Sequence, residues 1–166
     1  MSTTRRQIAA PPERVWAALA DADNYAHWVV GARDIRDADP GFPAVGTSFA
    51  HTLALGPIDL KDTSEVMESD PPRRLVLHVK ARPLGRGTVE LDLVAVGGGT
   101  HVTMREGPAS PVARLVYNPL MDLALHGRNV ESLRRLAELA EGRAPEPPTS
   151  GNAGRAEGGP AVGPQG

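Results

Sequence analysis

Between Gly46 and Glu106 apolar and polar residues alternate with a period of two, and short Gly- or Pro-rich breaks interrupt the alternation. No other feature limits the fold so strongly. Successive side chains of a strand point to opposite faces, so each run can bury only one of them. Breaks this short can only join antiparallel neighbours, because a parallel crossover needs a dozen or more residues. Thr47–Leu55 alternates and Gly56-Pro57 turns the chain; Ile58–Glu68 follows and stops at Asp70-Pro71-Pro72. In Leu75–Arg82, Leu75, Leu77, Val79 and Ala81 take one face, and Val76, His78, Lys80 and Arg82 the other. A turn spans Pro83 to Gly87. Val89, Leu91, Leu93 and Ala95 then alternate with Glu90, Asp92 and Val94, and Gly97-Gly98-Gly99 makes a tight hairpin into Thr100–Glu106. The expectation is a five-stranded antiparallel meander.

The flanks have a different period. Thr3 to Ile8 reads as a short strand. Pro11-Pro12 stops it and opens a helix over Glu13–Asp21, with Pro12 in the first turn and Glu13 at the positive helix end. Val15, Ala18 and Leu19 share one face of that helix, with Trp16 beside them. A second short helix is expected over Asn24–Val30, and Ala32–Ala38 as a strand before the loop Asp39-Pro-Gly-Phe-Pro. After Gly107-Pro108 the 3.6-residue period returns, with Ser110-Pro111 as a helix start. Pro119 implies a break near Asn118, which can recap the next segment. An amphipathic helix then runs to Glu141, with an expected inner stripe of Leu120, Leu123, Gly127, Val130, Leu133 or Arg134, and Ala137.

The chain of 166 residues holds 18 Gly and 16 Pro, and their distribution sets the domain boundary. Twelve of them fall in the 25 residues from Gly142 to Gly166, where four Ala and one Val are the whole apolar content. Nothing there offsets the entropy of ordering a backbone, so 142–166 reads as a disordered tail and 1–141 as the folded domain. Pro145-Glu-Pro-Pro148 fits a proline-rich docking ligand only loosely. At 40% hydrophobic the chain can fill a core. Its apolar runs fall far short of the ~20 residues that cross a bilayer, and no signal-like stretch opens it. With no Cys it has no disulfide, thiolate or Cys-metal chemistry, so a cytoplasmic protein is the expectation. Sixteen of its 18 basic residues are Arg, consistent with a GC-rich bacterial coding bias.

Several chemistries drop out on pattern. A net charge of −2 offers no nucleic-acid footprint, and only Tyr117 of the six aromatic residues lies beyond residue 49, which leaves the meander without a base-stacking platform. The five His, at 27, 51, 78, 101 and 126, show no HxH, HxxxH or HExxH spacing, so no metal is expected. There is no Walker loop, no GxGxxG after a strand and no GxSxG elbow, and no cofactor is implied.

A strand, two short helices, six strands and a long terminal helix make an α+β chain whose curved sheet must cover its apolar face with that last helix. The order resembles the helix-grip fold of the START-like (SRPBCC) superfamily, which includes birch-pollen allergen proteins, aromatase/cyclases and bacterial polyketide cyclase/dehydrase proteins. The likeness spans roughly residues 3–141. It rests on Ala10-Pro-Pro-Glu-Arg-Val-Trp16, Tyr25-Ala-His-Trp28, Asp39-Pro-Gly-Phe-Pro…Gly46, Asp70-Pro-Pro-Arg-Arg-Leu75 and Gly99-Thr-His-Val-Thr-Met-Arg-Glu106. None of these is a catalytic motif, and the fold does not settle the function.

The resemblance implies an internal apolar cavity between sheet and helix. By strand parity Phe49, His51 and Leu53 share an inner face, as do Val102, Met104 and Glu106; Asp62 shares the parity of Ile58, Leu60 and Val66 unless a bulge near Met67 resets it. Leu77 and Leu91, Leu120, Leu123 and Gly127 on the terminal helix, and Trp28 at the entrance complete the expected ligand-binding set. Trp28 and Trp16 read first as core residues, with the entrance as the second reading for Trp28. Gly127 either leaves cavity volume or lets helix and sheet approach closely. Asn118 and Arg128-Asn129 read as helix capping and surface pairing. His51 and Glu106 are candidate catalytic residues, a base and the carboxylate holding its tautomer, or else a polar pair that touches ligand or nothing. Three functions stay open: a carrier of a small hydrophobic molecule such as a lipid, polyketide or aromatic metabolite; a cyclase or dehydratase acting on one; and a module that docks a partner protein.

Overall fold

The structure is a computed structural model that describes residues 1–55, 58–81, 85–116 and 118–142. The turn at 56–57, part of that at 82–84, residue 117 and the expected tail from 143 to 166 lie outside the described residues. Seven strands form one antiparallel sheet: β1 (Ser2–Ile8), β2 (Ala32–Arg36), β3 (Ser48–Leu55), β4 (Ile58–Asp70), β5 (Arg74–Ala81), β6 (Gly85–Val96) and β7 (Gly99–Pro108). Their order across the sheet is β1-β7-β6-β5-β4-β3-β2. The meander expected from the alternation is therefore present, with β2 on one edge. The first strand closes the opposite edge against the last, pairing Ser2 with Glu106 and Ile8 with Thr100. A Cβ at Gly99 would lie 2.5 Å from the Ile8 carbonyl oxygen, so only glycine lets β1 lie this close.

Two elements differ from the sequence expectation for local reasons. Gly85 and Gly87 continue the ladder, opposite Ala81 and Val79, so β6 starts before Val89. The second helix is a single 3-10 turn (Ala22–Asn24) followed by one α-turn, α2 (Tyr25–Trp28), with Asp21 accepting from the Asp23 N–H. The bulge suspected near Met67 exists: Val66 opposes Leu77 while Glu68 opposes Val76, which throws Met67 outward at 43% exposure. Because the bulge lies beyond Val66, the parity of Asp62 and Ser64 is undisturbed.

The helices lie against the inner face. In α1 (Pro12–Leu19), Val15, Ala18 and Leu19 are buried. A short α3 (Pro111–Val116) precedes α4 (Pro119–Glu141). Asn118 caps α4 by accepting from the Met121 N–H at 2.9 Å, and Gly142, at φ 73°, closes its other end.

The inner stripe of α4 includes Leu133 and Ala137 as expected, but toward the N-terminus it lies one residue out of phase with the expected one. Asn129, Ser132, Leu133, Leu136, Ala137 and Ala140 are buried, and counting back in helical steps brings Arg128, Leu125, Ala124 and Met121 to the same side. Leu120, Leu123 and Val130, expected inside, are 76%, 67% and 44% exposed. A hydropathy pattern counts Asn129 and Ser132 as surface residues, although they sit on the inner line; Ser132 Oγ accepts from the Val30 N–H at 3.1 Å. Gly127 also faces out, and a Cβ there would meet nothing within 4 Å. Its missing side chain therefore neither creates cavity volume nor permits close packing.

Candidate functional site

Under the N-terminal half of α4 the sheet and helix separate around a cavity of about 550 Å³, within the range of small-molecule sites. Beneath the C-terminal half, Leu133, Leu136 and Ala137 fill the same space with side chains of the main core. The cavity wall combines aliphatic groups from the sheet (Leu53, Leu77, Val79, Val89, Met104), the inner residues of α4, and an aromatic end. At that end Tyr25 packs 4.6 Å from Phe49 and 5.1 Å from Trp28 between ring centroids, and Phe49 lies 5.4 Å from the His51 ring. The helical turn of α2 points Tyr25 and Trp28 inward, and alternation in β3 places Phe49, His51 and Leu53 beside them.

Eight of the residues expected at the site are on the wall: Trp28, Phe49, His51, Leu53, Leu77, Met104, Glu106 and Leu120, the last at the rim. Four are elsewhere. Leu91 is fully buried in the core, Asp62 is buried on β4 opposite His51, and Leu123 and Gly127 face solvent for the reason of helical phase given above. The wall also includes Tyr25, Met121, Leu125 and Arg128, which sequence reasoning did not select. Correct phasing of α4 supplies the last three, and the only signal for it was the less apolar line through Asn129 and Ser132.

The structure does not bring His51 and Glu106 together. β6, β5 and β4 lie between their strands. Glu106 instead accepts from Arg128, whose Nη2 is 2.6 Å from both carboxylate oxygens. Arg128 is thus a partly buried tether from α4 to β7, and Asn129 is wholly buried; neither is the surface pairing that sequence reading suggested.

His51 has Asp62 as its direct cross-strand neighbour. Burial, reinforced by the positive charges of Arg36 and Arg128, pushes the His51 pKa down to about 4, so the ring is neutral at neutral pH. Burial pushes Asp62 the other way, to about 6, partly opposed by the Thr63 N–H it accepts and by Lys80. Burial also raises Tyr25. The outer face of the sheet has a different character: Arg74 bridges Glu68, Glu90 and Asp92, and Arg105 also pairs with Asp92. Among the described residues no three potential ligand side chains converge on a metal position, and no helix is long and apolar enough to cross a membrane.

A family model described as polyketide cyclase/dehydrase and lipid transport matches residues 2–141. No curated protein matches. Among solved structures, a Rhodobacter sphaeroides protein is similar at 25% identity and a TM-score of 0.67, over 84% of this chain and 91% of that one. The solution structure of an Arthrobacter aurescens protein is similar at 13% identity and a TM-score of 0.69, over 92% of each chain. A protein of the dynemicin biosynthetic locus aligns at 20% identity and a TM-score of 0.62, over 86% of this chain and 48% of its own length. At these identities the last two establish the fold alone.

Proposed function

The chain belongs to the polyketide cyclase/dehydrase and lipid transport family, and we propose that it binds one small, largely apolar molecule beneath the N-terminal half of α4. The observation that carries this reading is the contrast along α4: a cavity of about 550 Å³ stands open where the same helix, a few turns on, is fully packed. Unfilled apolar volume costs stability, of order 24 cal/mol per Å³ in engineered cavities, and a ligand that fills it recovers that loss. The aromatic end suits a ring-bearing guest, since Tyr25, Phe49 and Trp28 offer ring faces and edges at contact distance from one another.

Binding is favoured over acid/base catalysis by the state of the two candidate groups. Glu106 is committed to Arg128, and a His51 held near a pKa of 4 is a weak base at neutral pH. A cyclase or dehydratase role remains the second reading, with the wall acting by positioning its substrate.

Fluorescence titration with 1-anilinonaphthalene-8-sulfonate tests the binding reading. The dye is expected to bind at one site, and Val79→Trp, which projects an indole into the cavity, is expected to weaken it at least about tenfold while the circular dichroism is unchanged. Dye affinity that ignores a folded Val79→Trp variant would overturn the reading. Native mass spectrometry of protein purified from its host would reveal a resident ligand directly.

A further inference from the structure

The strongest unexplained feature lies behind the cavity wall. His51 on β3 and Asp62 on β4 are directly opposed in the antiparallel register, which puts their Cβ atoms about 5 Å apart on the same inner face. Both side chains are almost wholly buried. Among the described residues, His51 Nδ1 and Asp62 Oδ2 have no hydrogen-bond partner, while Asp62 Oδ1 accepts from the Thr63 N–H at 2.7 Å. An unpaired buried polar atom costs about 1–3 kcal/mol, and here two complementary ones belong to residues directly opposed across one ladder step.

Resting on the binding reading above, we infer that Asp62 is a positioning residue: its carboxylate takes the Nδ1–H of His51, so the ring presents an unprotonated Nε2 to the cavity and selects ligands that carry a hydroxyl hydrogen, a phenol or an enol. The chemistry of the pair leaves little choice. An ionised carboxylate can only accept, so the hydrogen between the two groups must belong to the imidazole. Nδ1 has no accessible surface, so Nε2 is the ring nitrogen a guest can meet. Burial together with Arg36 and Arg128 keeps the ring from taking a second proton, and a neutral imidazole with hydrogen on Nδ1 has its lone pair on Nε2. The carboxylate that fixes the tautomer is thus Asp62, on the neighbouring strand, and Glu106 has no part in it.

Two measurements test this on the full chain at about pH 7.5. In long-range proton–nitrogen correlation spectra of the ¹⁵N-labelled protein, His51 is expected to show a pyrrole-type Nδ1 and a pyridine-type Nε2; a proton on Nε2, or a mixture of tautomers, overturns the inference. In calorimetric titration, 2-naphthol is expected to bind about tenfold tighter than 2-methoxynaphthalene, which has the same rings and no hydroxyl hydrogen. Asp62→Leu, which removes the acceptor, is expected to bring that preference below about twofold and to put hydrogen on Nε2. Equal binding of the two compounds to the wild-type protein, or a preference that survives Asp62→Leu, also overturns it. If Asp62→Leu fails to fold, the wild-type spectrum and the wild-type pair of affinities still decide. Binding of neither compound defeats the cavity reading and the ligand half of this one, and the spectrum then decides the Asp62–His51 half alone.

Discussion

The two halves of α4 share a period and an inner line but do opposite work. From Asn129 to Ala140 the helix buries Leu133, Leu136, Ala137 and Ala140 in continuous core. From Met121 to Arg128 the same line stands over a cavity, and this half is held to the sheet by the Arg128–Glu106 ion pair and by His126, whose Nδ1 lies 3.2 Å from Thr4 Oγ1. One half is anchored by area removed from water and the other by a polar tether. Stability and ligand capacity are therefore separable along a single helix.

The largest test of that comparison is truncation on the inner line. Leu136→Ala is expected to cost about 3–4 kcal/mol, the range for a fully enclosed leucine, while Leu125→Ala on the cavity wall is expected to cost under about 1. Urea unfolding of the two variants reads the difference, and equal losses would erase the distinction between the halves.

A subtler break concerns the two buried titrating groups. His51 is about 6.5 unfolded and about 4 folded, so as pH falls from 6.5 to 4 only the unfolded chain takes the proton and stability is lost. Asp62 is about 3.8 unfolded and about 6 folded, so stability is lost as pH rises from 3.8 to 6. Each arm is of order 3 kcal/mol, at 1.36 kcal/mol per pKa unit, and the two slopes oppose each other between pH 4 and 6. Asp62→Asn is expected to expose the His51 slope, gaining stability relative to wild type as pH rises through that window. His51→Gln is expected to expose the opposite slope. Denaturation midpoints across the window decide, and two variants with parallel profiles would contradict the opposed shifts.

Smaller still is the tether. Glu106→Gln leaves Arg128 with a weakened partner and is expected to cost about 2 kcal/mol, with faster amide exchange in residues 119–128 than in 129–140. Uniform acceleration along the helix would mean that the pair does not hold one half in particular. Smallest is Gly127→Ala, which should stabilise the fold by about 0.5–1 kcal/mol in thermal melts, because the added methyl meets open space and the helix loses its least favourable residue.

Strand architecture was legible in the sequence because period-two alternation has two outcomes per residue and glycine or proline marks each turn. The terminal helix was legible as a helix and misread in phase. Its inner line passes through Asn129, Ser132 and Arg128, and the exposed Leu120 and Leu123 offered a more apolar line one residue away. Burial of polar groups depends on partners distant in sequence: Val30 for Ser132, Glu106 for Arg128. Pairing of His51 with Glu106 was inferred from shared inwardness, which fixes a face and says nothing of distance across it. The register that opposes His51 to Asp62 follows from the pairing of Leu55 with Ile58, which alternation alone does not fix.

The pairing of β1 with β7 has a consequence in time. Ser2 meets Glu106, so β1 leaves the ribosome about a hundred residues ahead of β7 and has no partner until β7 has emerged. At about 5–20 residues per second that wait is several seconds. Contacts this remote in sequence slow folding, because the loop must close before they contribute. Through those seconds β1 is an unpaired strand open to any passing edge, and β7 is what finally seals it.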